Sequence, residues 1–134
     1  MNKVAPLDGL STILTGVSGE YFVAAELSRR GYVASVTLRN TRGMDVIATN
    51  SDASRSVGIS VKTNKTDKKD SMVNEKAESF YSDTLFYVFV NLNGAGENPA
   101  FHVVPSKVVA TAVYESHRAW LSGPKKSGEA RKDS

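Results

Sequence analysis

The segment Leu85 to Leu92, LFYVFVNL, constrains the fold more than any other stretch of the chain. A nearly continuous apolar run of strand length cannot lie on a solvated face, so it predicts a strand covered on both sides and sitting centrally in a sheet. A sheet covered on both faces needs a layer above and a layer below. The remaining segments supply such layers. Leu10 to Arg30 predicts a long helix that ends at Gly31, with Ile13, Gly16, Val17, Val23, Ala24 and Leu27 on one stripe and Glu26, Arg29 and Arg30 facing away. Ser106 is placed to cap a last helix that carries Val108, Val109, Ala112 and Val113 toward Trp120 and stops before Gly123-Pro124.

Between these helices lie the other strand signals. Tyr32 to Leu38, Met44 to Ala48 and Val57 to Thr63 are short segments bounded by turn residues, and their short connections predict antiparallel hairpins. The polar stretch Asn64 to Ser71 reads as a loop and Asn74 to Ser82 as a short helix. Ala100 to Val104 follows the Gly- and Asn-rich turn at Asn93 to Pro99 and ends at Pro105. The expected class is α/β, a mixed sheet of about five strands flanked by helices in the order α-β-β-β-α-β-β-α.

Composition narrows the chemistry. There is no cysteine and there are two histidines among 134 residues, which excludes thiol catalysis, disulfide scaffolds and thiolate metal sites. A metal held by this chain is therefore held mainly by oxygen. Seventeen Lys and Arg against fourteen Asp and Glu give a net charge of +3, and the pI of about 9.2 suits an anionic partner. The segment Met1 to Pro6 lacks a secretory apolar stretch and no run is long enough to span a bilayer, so the expected location is cytoplasmic, without a membrane partner.

Three polar positions stand out. Glu20 falls inside the apolar stripe of the first helix, where a charge must be paired, protonated or bound. Asp45 opens the second strand within Gly43-Met44-Asp45-Val46-Ile47. In the third strand, period-two alternation puts Ser60 and Lys62 on one face and Ile59 and Val61 on the other. Each has a bland reading: a structural ion pair for Glu20, a local turn bond for Asp45, an edge charge for Lys62. His102, beside Phe101, reads as a core or rim residue without a catalytic role.

Taken in order, these segments resemble the PD-(D/E)XK nuclease superfamily, especially its Holliday-junction-resolvase-like members. Gly19-Glu20-Tyr21-Phe22-Val23-Ala24-Ala25-Glu26-Leu27 with Gly31 looks like the family's opening helix, Gly43-Met44-Asp45-Val46-Ile47 like its (G/P)D.I strand, and Ile59-Ser60-Val61-Lys62-Thr63 like its (I/V)(E/Q)VK(T/S) strand. The resemblance implies a restriction-endonuclease-like fold and hydrolysis of DNA phosphodiester bonds with Mg²⁺ or Mn²⁺. It implies Asp45 as central metal ligand, Glu20 as a residue orienting the metal or its water, the Val61 carbonyl as a ligand, and Lys62 as the positioning cation. Ser60 stands where the family carries Asp or Glu, a departure that weakens metal binding. The alternative is a member that has lost catalysis and keeps nucleic-acid or partner binding. Residues 1–121 are expected to form one nuclease-like domain. The tail 122–134 is basic, carrying +2 of the total charge, and is expected to be flexible. Arg39, Arg42, Lys65, Lys68 and Lys69 flank the expected cleft, either as phosphate contacts or, with Asp67 and Asp70 interleaved, as an ordinary solvated loop, and Phe22 marks either a face for a homodimer or a contact with the last helix.

Overall fold

The computed structural model describes residues 11–38, 43–65 and 75–122. Its elements run α1 (Thr12–Arg29), β1 (Val33–Val36), β2 (Val46–Thr49), β3 (Ser56–Asn64), a 3₁₀ turn at Glu75–Glu78, β4 (Leu85–Asn91), β5 (Ala100–Pro105) and α2 (Ser106–Ser122). The sheet has five strands in the order β1-β2-β3-β4-β5. The pairs β1–β2 and β2–β3 are antiparallel, β3–β4 is parallel and β4–β5 antiparallel. This is the α/β class with a mixed sheet that the sequence predicts, and the two hairpins fall where the short connections put them.

The helix α1 starts at Ser11, whose hydroxyl accepts from the Leu14 amide at 3.1 Å, and closes through the amides of Gly31 and Tyr32 on the carbonyls of Ser28 and Leu27. Its charged flank behaves as expected. Arg30 Nε donates to Glu26 Oε2 at 2.8 Å, and this bond lowers the Glu26 carboxyl below its ordinary value, with Arg29 adding its charge. The apolar stripe is shifted. The buried positions are Thr15, Gly19 and Val23, while Ile13 is 68% exposed. The reason is a close approach. A Cβ on Gly19 would overlap the Thr63 side chain, so the helix meets β3 at its smallest residue rather than at its most apolar one.

Two layers cover the sheet unequally. On the α1 side, Val23, Val46, Ala48, Ile59, Val61, Val88, Val90 and Leu92 form one cluster, backed by Leu27, Ala34, Val36, Val57 and Phe101. On the α2 side the cluster is smaller, with Ala77, Tyr87 and Val109 supported by Phe89, Val104 and Val113. The strand β4 is paired on both edges and feeds both clusters, as its apolar run demands. The middle position, however, belongs to β3. The alternation in β3 buries Ile59 and Val61 under α1 and leaves Ser60 and Lys62 for the other side, so this strand is central without being uniformly apolar.

Two local expectations give way to longer-range bonds. The helix expected over Asn74 to Ser82 is reduced to the 3₁₀ turn. Ser106, fully buried, donates from its hydroxyl to the Ser82 carbonyl at 2.9 Å and accepts from the Ser82 amide at 3.0 Å, bonds that take the place of helical ones at Ser82. The same bonds correct the expected role of Ser106. Its side chain ties α2 to the entry of β4. Among the described residues no helix is long and apolar enough to cross a membrane. Of the expected basic tail, Ser122 ends α2 and residues 123–134 lie outside the described residues.

Candidate functional site at the end of the second strand

The site grows from the way β2 begins. Val46 is the Cα partner of Ile59, yet the Asp45 amide also bonds the Ile59 carbonyl at 2.8 Å. Asp45 and Val46 therefore both oppose one residue of β3, the two-against-one arrangement of a β-bulge. This is why β2 starts at Val46 rather than at Met44 as expected. A bulge ends regular pairing and re-aims the side chain, and Asp45 uses both effects. Its Oδ2 accepts from the Val61 amide at 2.7 Å, taking the place in the ladder that a backbone carbonyl of β2 would occupy. The backbone on the other side is held as well, since Thr37 donates from its amide to the Asp45 carbonyl and from its hydroxyl to the Met44 carbonyl at 2.6 Å. Because the N–H and C=O of one residue project to the same side of a strand, the Val61 carbonyl faces the same edge as the carboxylate.

Beyond this point β3 continues without β2 beside it, and the sheet edge opens into a notch. Two cavities border it. The larger, about 900 Å³, lies on the α2 side, with Ser60, Lys62, Lys76, Phe80, Tyr81 and Tyr87 in its wall. The smaller, about 360 Å³, lies toward α1 and is bounded by Thr12, Thr15, Gly16, Val61, Lys62 and Lys65, among others. Lys62 lines both. Ser60 is buried at 6% exposure and faces the larger cavity.

Of the expected site residues, Asp45, Ser60, Val61 and Lys62 are brought together around one strand end. Glu20 is half-buried on α1 and, like Asp45, is not among the residues lining either cavity. The buried face of α1 is centred on Gly19, and Glu20, one residue further at about 100° of helical turn, falls on its flank. Among the described residues no group of three or more His, Asp or Glu is placed to hold a metal ion. Lys65 borders the smaller cavity, whereas Arg39, Arg42, Lys68 and Lys69 lie outside the described residues. His102 is exposed on β5, an edge strand, in keeping with the rim reading.

Sequence reasoning missed the wall opposite β3. Lys76, Phe80 and Tyr81 come from the segment read as a helix, and Tyr87 from the apolar run. Phe80 packs on Gly43, where a Cβ would come within 2.8 Å of the ring and where φ is +68°, so glycine is required there twice over. The one signal available for Tyr87 is its hydroxyl, a polar tip inside an otherwise apolar run. Burial raises the Tyr87 phenol above its ordinary value, and the negative charge of Asp45 raises it further. Comparison with known proteins returns no family model, no curated protein and no solved structure that matches the chain.

Proposed function

We propose that this chain is a nuclease-like domain of the PD-(D/E)XK, restriction-endonuclease-like kind, acting on DNA phosphodiester bonds with Mg²⁺ or Mn²⁺. The observation that carries this reading is the Asp45 carboxylate bonded to the Val61 amide at 2.7 Å, directly beside Ser60 and Lys62. The element order and the mixed five-stranded sheet accord with that fold.

The donor set accommodates a weakly held hard cation. Asp45 offers one carboxylate and Val61 its carbonyl, with the Ser60 hydroxyl as a poor third donor. Mg²⁺ is commonly bound through one or two carboxylates together with substrate phosphates and waters, so DNA would complete the set. Such an ion, when bound, polarises a phosphoryl oxygen and makes water a better nucleophile at neutral pH. The protein's own contribution is positional. The Val61 bond holds the carboxylate in one orientation, and Lys62 offers an ammonium to the charge that develops on the phosphate. Glu20, half-buried on α1, keeps the role of orienting the metal or its water.

Incubation of supercoiled, single-stranded and branched DNA with Mn²⁺ tests the reading. Cleavage is expected, falling at least ~100-fold in Asp45→Asn and Lys62→Ala and less in Glu20→Gln. Ser60→Glu is expected to strengthen Mn²⁺ binding by calorimetry, and no gain would put Ser60 outside the donor set. A second reading has its own support in the neutral, buried Ser60, where a second carboxylate is lacking. In that reading catalysis is lost and DNA binding kept. Steeply salt-dependent binding without cleavage selects it, and absence of both overturns both readings.

A further inference from the structure

The larger cavity has a composition that phosphate contact alone does not require. Lys62 enters from β3 and Lys76 from the 3₁₀ turn, and no acidic residue among the described residues lines the space between them. Two ammonium-bearing side chains in one wall suit an anionic group. The rest is aromatic. The Tyr87 ring forms the floor at 6% exposure and stacks on Phe89 at 6.0 Å between centroids. Phe80 is seated on Gly43, and Tyr81 stands at the rim with 51% of its surface in water. A tyrosine with half its surface in water adds little to the core, and a π-face beside two ammonium groups matches a ligand that carries a flat ring and a phosphate together. The volume of about 900 Å³ lies within the ~300–1,000 Å³ typical of sites for such ligands.

We infer that this cavity receives the base of an unpaired deoxynucleotide, with Tyr81 as stacking platform and Lys62 and Lys76 on the adjoining phosphates, so that the DNA engaged here is single-stranded at the site. The inference rests on the nuclease-like reading and adds the substrate class to it. In a duplex both faces of every base are covered by neighbours and only phosphates and sugar edges reach a recess. The aromatic wall then has nothing to bind. Unpaired strands offer bases for stacking without sequence preference.

Fluorescence anisotropy in EDTA compares a labelled oligothymidylate of about a dozen nucleotides with a hairpin duplex of similar charge. The oligothymidylate is expected to bind at least ~10-fold more tightly than the duplex. Tyr81→Ala is expected to lower its affinity by roughly 5- to 100-fold and to leave duplex affinity unchanged, while Tyr81→Phe retains the affinity because the ring remains. Lys62→Ala and Lys76→Ala should weaken both ligands and each flatten the salt slope by about one. Equal binding of the two oligonucleotides, or a Tyr81→Ala variant that folds and binds the oligothymidylate like the parent, overturns the inference. If the duplex is cleaved with Mn²⁺ and Tyr81→Ala cleaves single strands equally well, the nuclease reading stands and the single-strand inference fails. If neither oligonucleotide binds the unmodified protein, the underlying reading fails with it.

Discussion

The two faces of this sheet use the same strands for opposite ends. Under α1, Ile59 and Val61 of β3 join a continuous apolar cluster, and the helix comes close enough that Gly19 rests on Thr63. On the other side, Ser60 and Lys62 of the same strand face an open cavity, and the apolar cluster beside it is small. Strand alternation makes this division possible, because adjacent residues answer to different layers. A tightly packed face can carry the stability, and the other face is then free to hold groups that do not pack well.

The sharpest way to break the contrast is at the helix contact. Gly19→Ala puts a methyl group into Thr63 and is expected to destabilise the fold by about 3 kcal/mol in urea titration, as overpacking does. Thr63→Ala should be nearly neutral, since the Thr63 hydroxyl is buried with no hydrogen-bond partner among the described residues, and it should relieve much of the Gly19→Ala loss. A negligible cost for Gly19→Ala would mean that the two layers are not in the described contact.

A smaller effect is expected on the cavity side. Ser106→Ala removes both bonds to Ser82, whose carbonyl keeps the Leu85 amide, for a loss of about 1 kcal/mol. No measurable loss would show that α2 is held to the sheet by its apolar contacts alone.

The smallest effect concerns charge at the junction of the faces. The Tyr87 phenol is raised above its ordinary value of 10.0, by burial first and by Asp45 second. The folded state then holds the phenolic proton more tightly than the unfolded state. The associated stability is complete below the ordinary tyrosine value and is lost as pH rises above 10.0 through the raised value. In Asp45→Asn the phenol should move back toward 10.0 without reaching it, because burial remains, and the alkaline loss should be smaller. Phenolate absorbance read for the variant against the parent checks the shift. An unchanged Tyr87 titration would mean that Asp45 and Tyr87 do not feel each other.

Much of the frame was legible. The run Leu85 to Leu92 announced a doubly covered strand, and the alternation across Ile59 to Lys62 assigned its faces correctly. The errors have a common source. Ile13 was read as buried because periodicity counts apolar residues, whereas the helix contact selects for small size at Gly19. The segment Asn74 to Ser82 reads as a helix in sequence because the bonds that engage Ser82 come from Ser106, distant in the chain.

By itself, then, the amino-acid order determined the layers, the hairpins and which residues of each strand face the same way. These follow from patterns repeated every two or every three to four residues, and such patterns are local. The tertiary structure alone decided that Asp45 leaves the regular ladder in a bulge and bonds Val61, that Lys62 borders two cavities, and that Phe80 and Tyr81 close the far wall. Those outcomes depend on backbone bonds and ring contacts between segments far apart in the chain, and no local periodicity encodes which distant partner fills a given place.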